Sequence, residues 1–492
     1  MKRHDETELP KLAQGWSWAT LPMLGEFGRG KSKHRPRNDE RLYTDGKYPF
    51  FQTGRVRNSD GSIREYDKLY SDFGLAQSKL WPAGTVCITI AANIAESGIL
   101  KFDGCFPDSI VGLVPHPEIS GLFVEAFIRT AKEDLDRYAP ATAQKNINLE
   151  ILSSVSVPIP PANEQQRIVE KIETLFARLD KGEEAVREVQ KLLKRYRQSI
   201  LKSAVTGELT ADWRAERKGE LESGADLLAR ILKTREENWQ GRGKYKAPSE
   251  LNTDDLPGLP EEWTWASVDT VGAVSTGTTP PKSQESRFYG GNIPFLKPTD
   301  LDQGFSVSDC REYLTDEGLK KSRVVKAGDV MVTSIGATTG KTGVCRVPVA
   351  GFNQQINTIS PFKGVISGDL LYWIVVEEGF QQRLWADAAA TTLPIINKSK
   401  FSRLMVPCPS VEEQEEILTR VEEKMSLAKT LSKACETELK RSAALRQSIL
   451  KDAFSGNLVP QDPDDEPASA LLERIKAARA TEPKKTSRKK CA

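Results

Sequence analysis

RQSILKSAVTGEL at residues 197–209 and RQSILKDAFSGNL at 446–458 are identical at nine of thirteen positions, at a constant offset of 249. Working outward, the same offset brings VPIPPANEQQRI (157–168) onto VPCPSVEEQEEI (406–417). An offset of 247 brings LPKLAQGWSWATL (9–21) onto LPGLPEEWTWASV (256–268). The chain is one unit written twice, each copy a varied domain followed by a shared helical segment. A duplicated unit in one polypeptide can imitate a symmetric dimer, the usual arrangement for reading two DNA half-sites.

The segment after each VPxP run reads as a helix. Ile168, Ile172, Leu175, Leu179, Val186, Val189, Leu193, Tyr196 and Ile200 recur at steps of four and three, with Gly182 filling one slot. That is a heptad seam. A helix over 163–206 would be about 65 Å long at ~1.5 Å per residue, more than one domain needs, so it requires a partner. One candidate is a second molecule, as a homodimeric coiled coil. The better one is the second copy's helix, 412–455, which repeats Ile417, Val421, Leu431, Leu445 and Ile449. There Lys424, Glu438 and Ser442 interrupt the strict seam. A register shifted by one recruits Leu418, Met425, Ala428, Cys435 and Leu439. The register of the second helix stays open at this level. A pseudo-dyad would make the pair antiparallel, place the variable domains at opposite ends, and make the rod a spacer.

Composition narrows the class. Hydrophobic residues make up 38% of the 492, charged residues 28%, and the formal charge is +2. Near-neutrality excludes coating nucleic acid by bulk charge but permits local basic patches. Seven cysteines without a CxxC pair suggest reduced thiols and no zinc site. No apolar run approaches a membrane span, and MKRHDETELP lacks a signal-peptide core, so a cytoplasmic protein is expected. Residues 1–162 and 256–411 are irregular, Gly- and Pro-punctuated, with β-like runs at 85–90 and 329–333. This predicts two compact α/β domains. Residues 163–209 form the central helix and 210–255 a helical linker. Residues 412–459 form the distal helix, and 460–492 a short helix with a basic tail. DLLARI (226–231) resembles ALLERI (470–475) after each helix.

Domain, PxxEQxxI, long helix, RQSILKxAxxGxL, and then all of it again: this order resembles the specificity subunit of Type I restriction–modification enzymes. The resemblance runs from Leu9 to Pro460, with Trp16–Trp18 and Trp263–Trp265 at the domain openings. It implies an α+β architecture of two α/β target-recognition domains. These are joined by two long conserved helices that form an antiparallel coiled coil with an internal pseudo-two-fold repeat. It further implies that each domain reads one half of a bipartite, asymmetric site on double-stranded DNA. The helices would set the gap between the halves and hold two methyltransferase subunits, with motor–nuclease subunits joining the complex. The chain itself would carry no cofactor; S-adenosylmethionine, ATP and Mg would sit on the partners. Two alternatives are a specificity subunit of a fused methyltransferase–nuclease system and a coiled-coil adaptor that binds no DNA.

The candidate contacts follow charge and loop character. Between residues 29 and 41 lie six Lys or Arg against Asp39 and Glu40, in a Gly- and Pro-containing stretch. Arg29, Lys31, Lys33, His34, Arg35 and Arg37 could follow a phosphate backbone or enter a groove; the alternative is a solvated surface loop. Arg55, Arg57 and Asn58, read as a loop, suit bidentate contacts to guanine and adenine or are ordinary turn residues. At the corresponding place the second domain offers Thr278, Lys282, Lys297 and Thr299, with far less charge. Late polar loops carry Gln144, Lys145 and Asn146, and Thr391 to Pro394.

Lys341 ends a Gly336–Gly340 loop that looks like a phosphate-binding loop. Only three residues separate the glycines, where the Walker spacing needs four. A turn between strands explains it better, leaving Lys341 as a phosphate contact on DNA. No NPPY or DPPF motif is present, and His4, His34 and His116 have no metal-ligand spacing. The chain is therefore expected to be non-catalytic, with no catalytic and no metal-binding residues.

Overall fold

The structure, a computed structural model, describes residues 10–91, 95–137, 149–237, 245, 247, 253, 256–388 and 394–481. It divides into two compact units, 1–186 with 437–492, and 187–436. Each unit contains one varied domain and parts of both long helices.

In the first unit, the strand opened by WSW (Ser17–Thr20) pairs antiparallel with the strand closed by VPIP (Ser156–Ile159), Trp18 facing Pro158. In the second, Thr264–Ser267 pairs with Met405–Cys408 and Trp265 faces Pro407. The duplicated motifs at the two ends of each domain are thus partners in one small sheet. Between them the first domain carries a five-stranded sheet, in the order Gly25–Arg29, Ile110–Pro115, Val86–Thr89, Ser97–Leu100, Gly61–Ile63. A four-stranded sheet adds Lys68–Tyr70, Tyr48–Phe50, Gly104–Cys105 and Leu80–Trp81. The second domain repeats both layers with four strands each. The β-like runs are central strands: Val86–Thr89 and Val330–Thr333 are buried along their whole length, which is why they read as continuous apolar runs.

Each long helix starts directly after a Pro-containing strand, at Ala162 and at Val411, where prolines cost no intrahelical bond. Each ends with the shared motif, at Val205 and Phe454. Gly207 and Gly456 then take φ of +79° and +76°, the left-handed conformation in which glycine terminates helices.

The EQ of PxxEQxxI fastens each helix to its own domain. Trp16 Nε1 donates to Glu164 Oε2 at 3.1 Å. Gln165 accepts from the Ser120 amide and donates to the Pro160 carbonyl. In the second unit Trp263 Nε1 donates to Glu413 Oε2 at 2.7 Å, and Gln414 accepts from the Ser367 amide and donates to the Val365 carbonyl.

The RQSIL motif works differently. Ile449, Leu450 and Ala453, from the second copy, are buried in the core of the first domain with Trp16 and Leu21. Ile200, Leu201, Ala204 and Val205, from the first copy, are buried in the core of the second domain with Trp263 and Val268. The DLLARI and ALLERI helices follow suit: Leu227 and Ile231 join the second core, Leu471 and Ile475 the first. Each copy therefore ends by completing the other copy's domain. At about 1.5–3 kcal/mol for each fully buried Leu or Ile, this docking is a major part of what holds each unit together.

The two helices run antiparallel within each unit. In the first, Arg446 pairs with Asp180 at 2.5 Å, and Ser442 donates to Glu183 at 2.7 Å. In the second, Arg197 donates to the Ala428 carbonyl at 3.1 Å and to Ser432 Oγ at 3.2 Å. The seam differs from the expected heptad in mid-helix. Val189 and Tyr196 are exposed, as are Leu431 and Leu445. Glu183, Gln190 and Arg197 are half-buried instead, as are Met425, Ser432, Cys435, Leu439, Ser442 and Arg446, with Ala428 fully buried. The second helix thus follows the shifted register in its middle and the Ile417, Val421 and Ile449 register at its ends. Small and polar side chains at the seam let the arginines of both RQSIL motifs reach across the interface. Among the described residues no helix is long and apolar enough to cross a membrane.

Candidate nucleic-acid interface

The basic stretch of the first domain begins at a forced turn. Gly30 donates its amide to the Ile110 carbonyl, and Lys31 to that of Phe106. A Cβ on Gly30 would lie 2.4 Å from the carbonyl oxygens of Phe106 and Pro107, so only glycine fits. The second domain repeats the device: Gly277 donates to Ile356, Thr278 to Phe352, and a Cβ on Gly277 would lie 2.0 Å from the Asn353 carbonyl. Both loops leave the same place on the same framework and differ in what they carry.

In the first loop the charges divide into two sets. Asp39 gathers His34 at 2.7 Å and Arg41 at 2.8 Å, and these bonds hold its carboxyl well below the usual carboxylate range. Arg35 donates to the Ser32 and His34 carbonyls at 2.7 and 2.8 Å. These side chains build the loop. Arg29, Lys31 and Lys33 are exposed and make no ion pair among the described residues. Arg37 meets Asp108 only at 3.9 Å, with both side chains more than half exposed.

Arg55, Arg57 and Asn58 do not lie on a loop. Thr53–Arg57 is a short helix with buried Val56 beneath it and Asn58 as its C-cap; the hydrophobic anchor makes the turn helical. Arg55 is engaged by Glu65 and by Asp67 at 2.7 Å, while Arg57 and Asn58 are exposed. In the second domain Thr278, Lys282 and Thr299 are exposed. Lys297 is paired with Glu312, and Lys341 with Asp302 at 2.6 Å. The Gly336–Lys341 segment is a turn between antiparallel strands, Val332 facing Thr342. A strand follows it where a phosphate-binding loop needs a helix. Gln144, Lys145, Asn146 and residues 391–393 lie outside the described residues.

Tertiary structure adds a feature beside this loop. A cleft of about 230 Å³ is lined by Arg37 and Asn38 of the loop and by Tyr43, Gln52, Lys68 and Tyr70. Only Arg37 among these carries a charge pattern visible in the basic run. Lys68 is brought there because it faces Phe50 across the sheet.

A model of the Type I restriction modification DNA specificity domain matches residues 18–188 and again 260–441. The chain belongs to this family. It carries two such domains, as the duplicated framework requires. The specificity subunit of the Type I restriction enzyme EcoDI of Escherichia coli is 26% identical over 98% of this chain and 99% of its own length. That of EcoKI, from Escherichia coli K12, is 25% identical over 98% and 99%. Among solved structures, a chain of a type I restriction–modification system has a TM-score of 0.67 at 18% identity, covering 92% of this chain and all of that one. The HsdS subunit of Thermoanaerobacter tengcongensis gives 0.50 at 18%, covering 92% and 99%. At that identity these two share the fold. Neither the adaptor nor the fused-system alternative is favoured by these matches.

Proposed function

We propose that this specificity subunit reads a bipartite, asymmetric DNA sequence, each domain taking one half, and that it does no chemistry itself. The observation that carries this is the pair of loops at Gly30 and Gly277. They have the same backbone bonds and the same glycine requirement, with the exposed Lys31 and Lys33 following Arg29 at the strand end on one, and threonines with a single exposed lysine, Lys282, on the other. A shared mount with different chemistry is what two half-sites of different sequence need. Arg29, Lys31, Lys33 and Arg37 take phosphates or guanine edges. His34 and Arg35 shape the loop. Thr278 and Lys282 serve the second half.

Methyltransferase subunits dock on the helices, and restriction subunits join through the complex; S-adenosylmethionine, ATP and Mg belong to those partners. Supporting this, Val189, Leu192 and Tyr196 form an exposed apolar stripe at helical spacing on the first helix, and Leu427 and Leu431 another on the second. The test is methylated-site sequencing in cells that carry the whole system. Replacing residues 1–162 by another family member's first domain should change one half-site only. A change in both halves, or in neither, overturns the assignment.

A further inference from the structure

Apart from Arg37, the residues of the cleft beside the basic loop have no role in the reading above, and their chemistry is specific. Its floor is aromatic: Phe50 stacks on Tyr70 with centroids 4.3 Å apart, and Tyr43 lies 5.6 Å from Tyr70. The Tyr43 hydroxyl donates to the Arg37 carbonyl at 2.6 Å, tying the loop to the cleft. Lys68 is exposed, makes no ion pair among the described residues, and holds its ammonium 4.3 Å above the Tyr43 ring. The side chains of Gln52 and Asn38 are exposed and have no hydrogen-bond partner among the described residues. Two carboxamides, two cations and an aromatic floor thus face one opening, with no hydrogen-bond partner for the carboxamides among the described residues.

The second domain shows the contrast. Lys297 stands where Gln52 stands, since Phe295 and Phe50 are the same position of the same strand. Glu312 stands where Lys68 stands: the Phe295 amide donates to the Glu312 carbonyl, and Lys68 faces Phe50 across the sheet. Lys297 and Glu312 neutralise each other. What is a closed ion pair in one domain is an open cationic cleft in the other.

We propose that this cleft is a DNA-reading site of the first domain. Gln52 and Asn38 meet base edges, and Lys68, with Arg37, holds the flanking phosphates. Carboxamides offer the paired donor and acceptor that adenine presents in the major groove, while a lysine over a tyrosine face is a positioned point charge suited to phosphate. The proposal rests on the reading of the domains as DNA-specificity domains.

The test uses the full chain assembled with its methyltransferase subunits and a duplex carrying the methylated site. Gln52→Ala and Asn38→Ala should each relax discrimination by ten-fold or more at a base of the first half-site, leaving the second half unchanged. Lys68→Ala should weaken binding uniformly across sequences and reduce the salt slope by about one. Glu312→Gln, which frees Lys297, should raise the slope by up to about one. Lys68→Met keeps the aliphatic packing on Tyr43 and controls for folding. If all the cleft variants keep wild-type affinity, slope and base preference while the wild type binds its site, the cleft proposal is overturned and the domain reading stands. If the wild-type complex shows no sequence preference, the domain reading fails and the cleft falls with it. A Lys68→Ala effect confined to one base overturns its phosphate role.

Discussion

Glu164 and Glu413 occupy the same place in the two copies, and the protein treats them differently. Both are buried, and both accept from the tryptophan that opens their domain. Glu413 also accepts from Thr210 and from Arg214, each at 2.5 Å, so a full positive charge faces it inside the second unit. At the matching offset from Arg214 the second copy has Pro463. Glu164 therefore has one oxygen without a hydrogen-bond partner among the described residues, and burial pushes its carboxyl up from the ordinary value. The nearby Arg167 is spent on Asp465, at 2.6 Å, which ties the segment after the second helix to the start of the first. Two copies can keep one motif while the charges around it evolve apart, because Trp and Glu preserve the geometry and only the desolvation cost is settled locally.

The largest test of this difference is Arg214→Met. It leaves a fully buried carboxylate facing neutral donors and should destabilise the second unit by about 3–5 kcal/mol. Hydrogen exchange of peptides in 256–276 and 405–421 should accelerate, with the first domain unaffected. Equal acceleration in both units would show that the clamps are not independent.

Next come the exchanged helix ends. Ile200→Ala and Ile449→Ala should each cost about 2–5 kcal/mol. Ile200→Ala, though it lies in the first copy, should loosen the second domain, and Ile449→Ala the first. If each loosened the domain of its own copy instead, the docking described above would be wrong.

The loops give a smaller, electrostatic effect. Lys31→Ala with Lys33→Ala should lower the salt slope of DNA binding by about two, whereas Thr278→Ala in the second domain should leave the slope unchanged. His34→Ala and Arg35→Ala should act through loop order, with a slope change below one.

Smallest is the pH term at Glu164. A carboxyl whose folded value is raised favours the proton in the folded state. Its contribution is greatest at low pH and is lost as pH rises from 4.5, the unfolded value, through the raised folded one. Glu164→Gln should remove that loss, so its stability relative to wild type should improve as pH rises across this window. A constant difference across the window would show that Glu164 is not desolvated.

The duplication, the helix ends and the two β-strand runs were legible because each is written in consecutive residues. RQSILK, VPxP and the terminating glycine signal themselves locally. The helix seam was legible at its ends, at Leu193, and in mid-helix through the shifted register of Met425, Ala428, Cys435 and Leu439. Which of the two registers holds there was not, because Ser432, Ser442 and the seam arginines give hydrophobic periodicity nothing to follow. The candidate contacts were legible as charge, but charge does not reveal its partner. Arg55, Lys297 and Lys341 face acids 10, 15 and 39 residues away. Lys68 shares a cleft with Arg37 only because two short strands pair in one register.

By itself the sequence determined that this protein is one unit written twice, a varied domain followed by a long helix, because repetition and periodicity are properties of the chain. Only the tertiary structure decided that each helix end completes the other copy's domain, which basic side chains remain uncommitted, and that a cleft opens beside the first loop. Those outcomes depend on contacts between residues far apart in the chain, where burial and pairing are settled by packing.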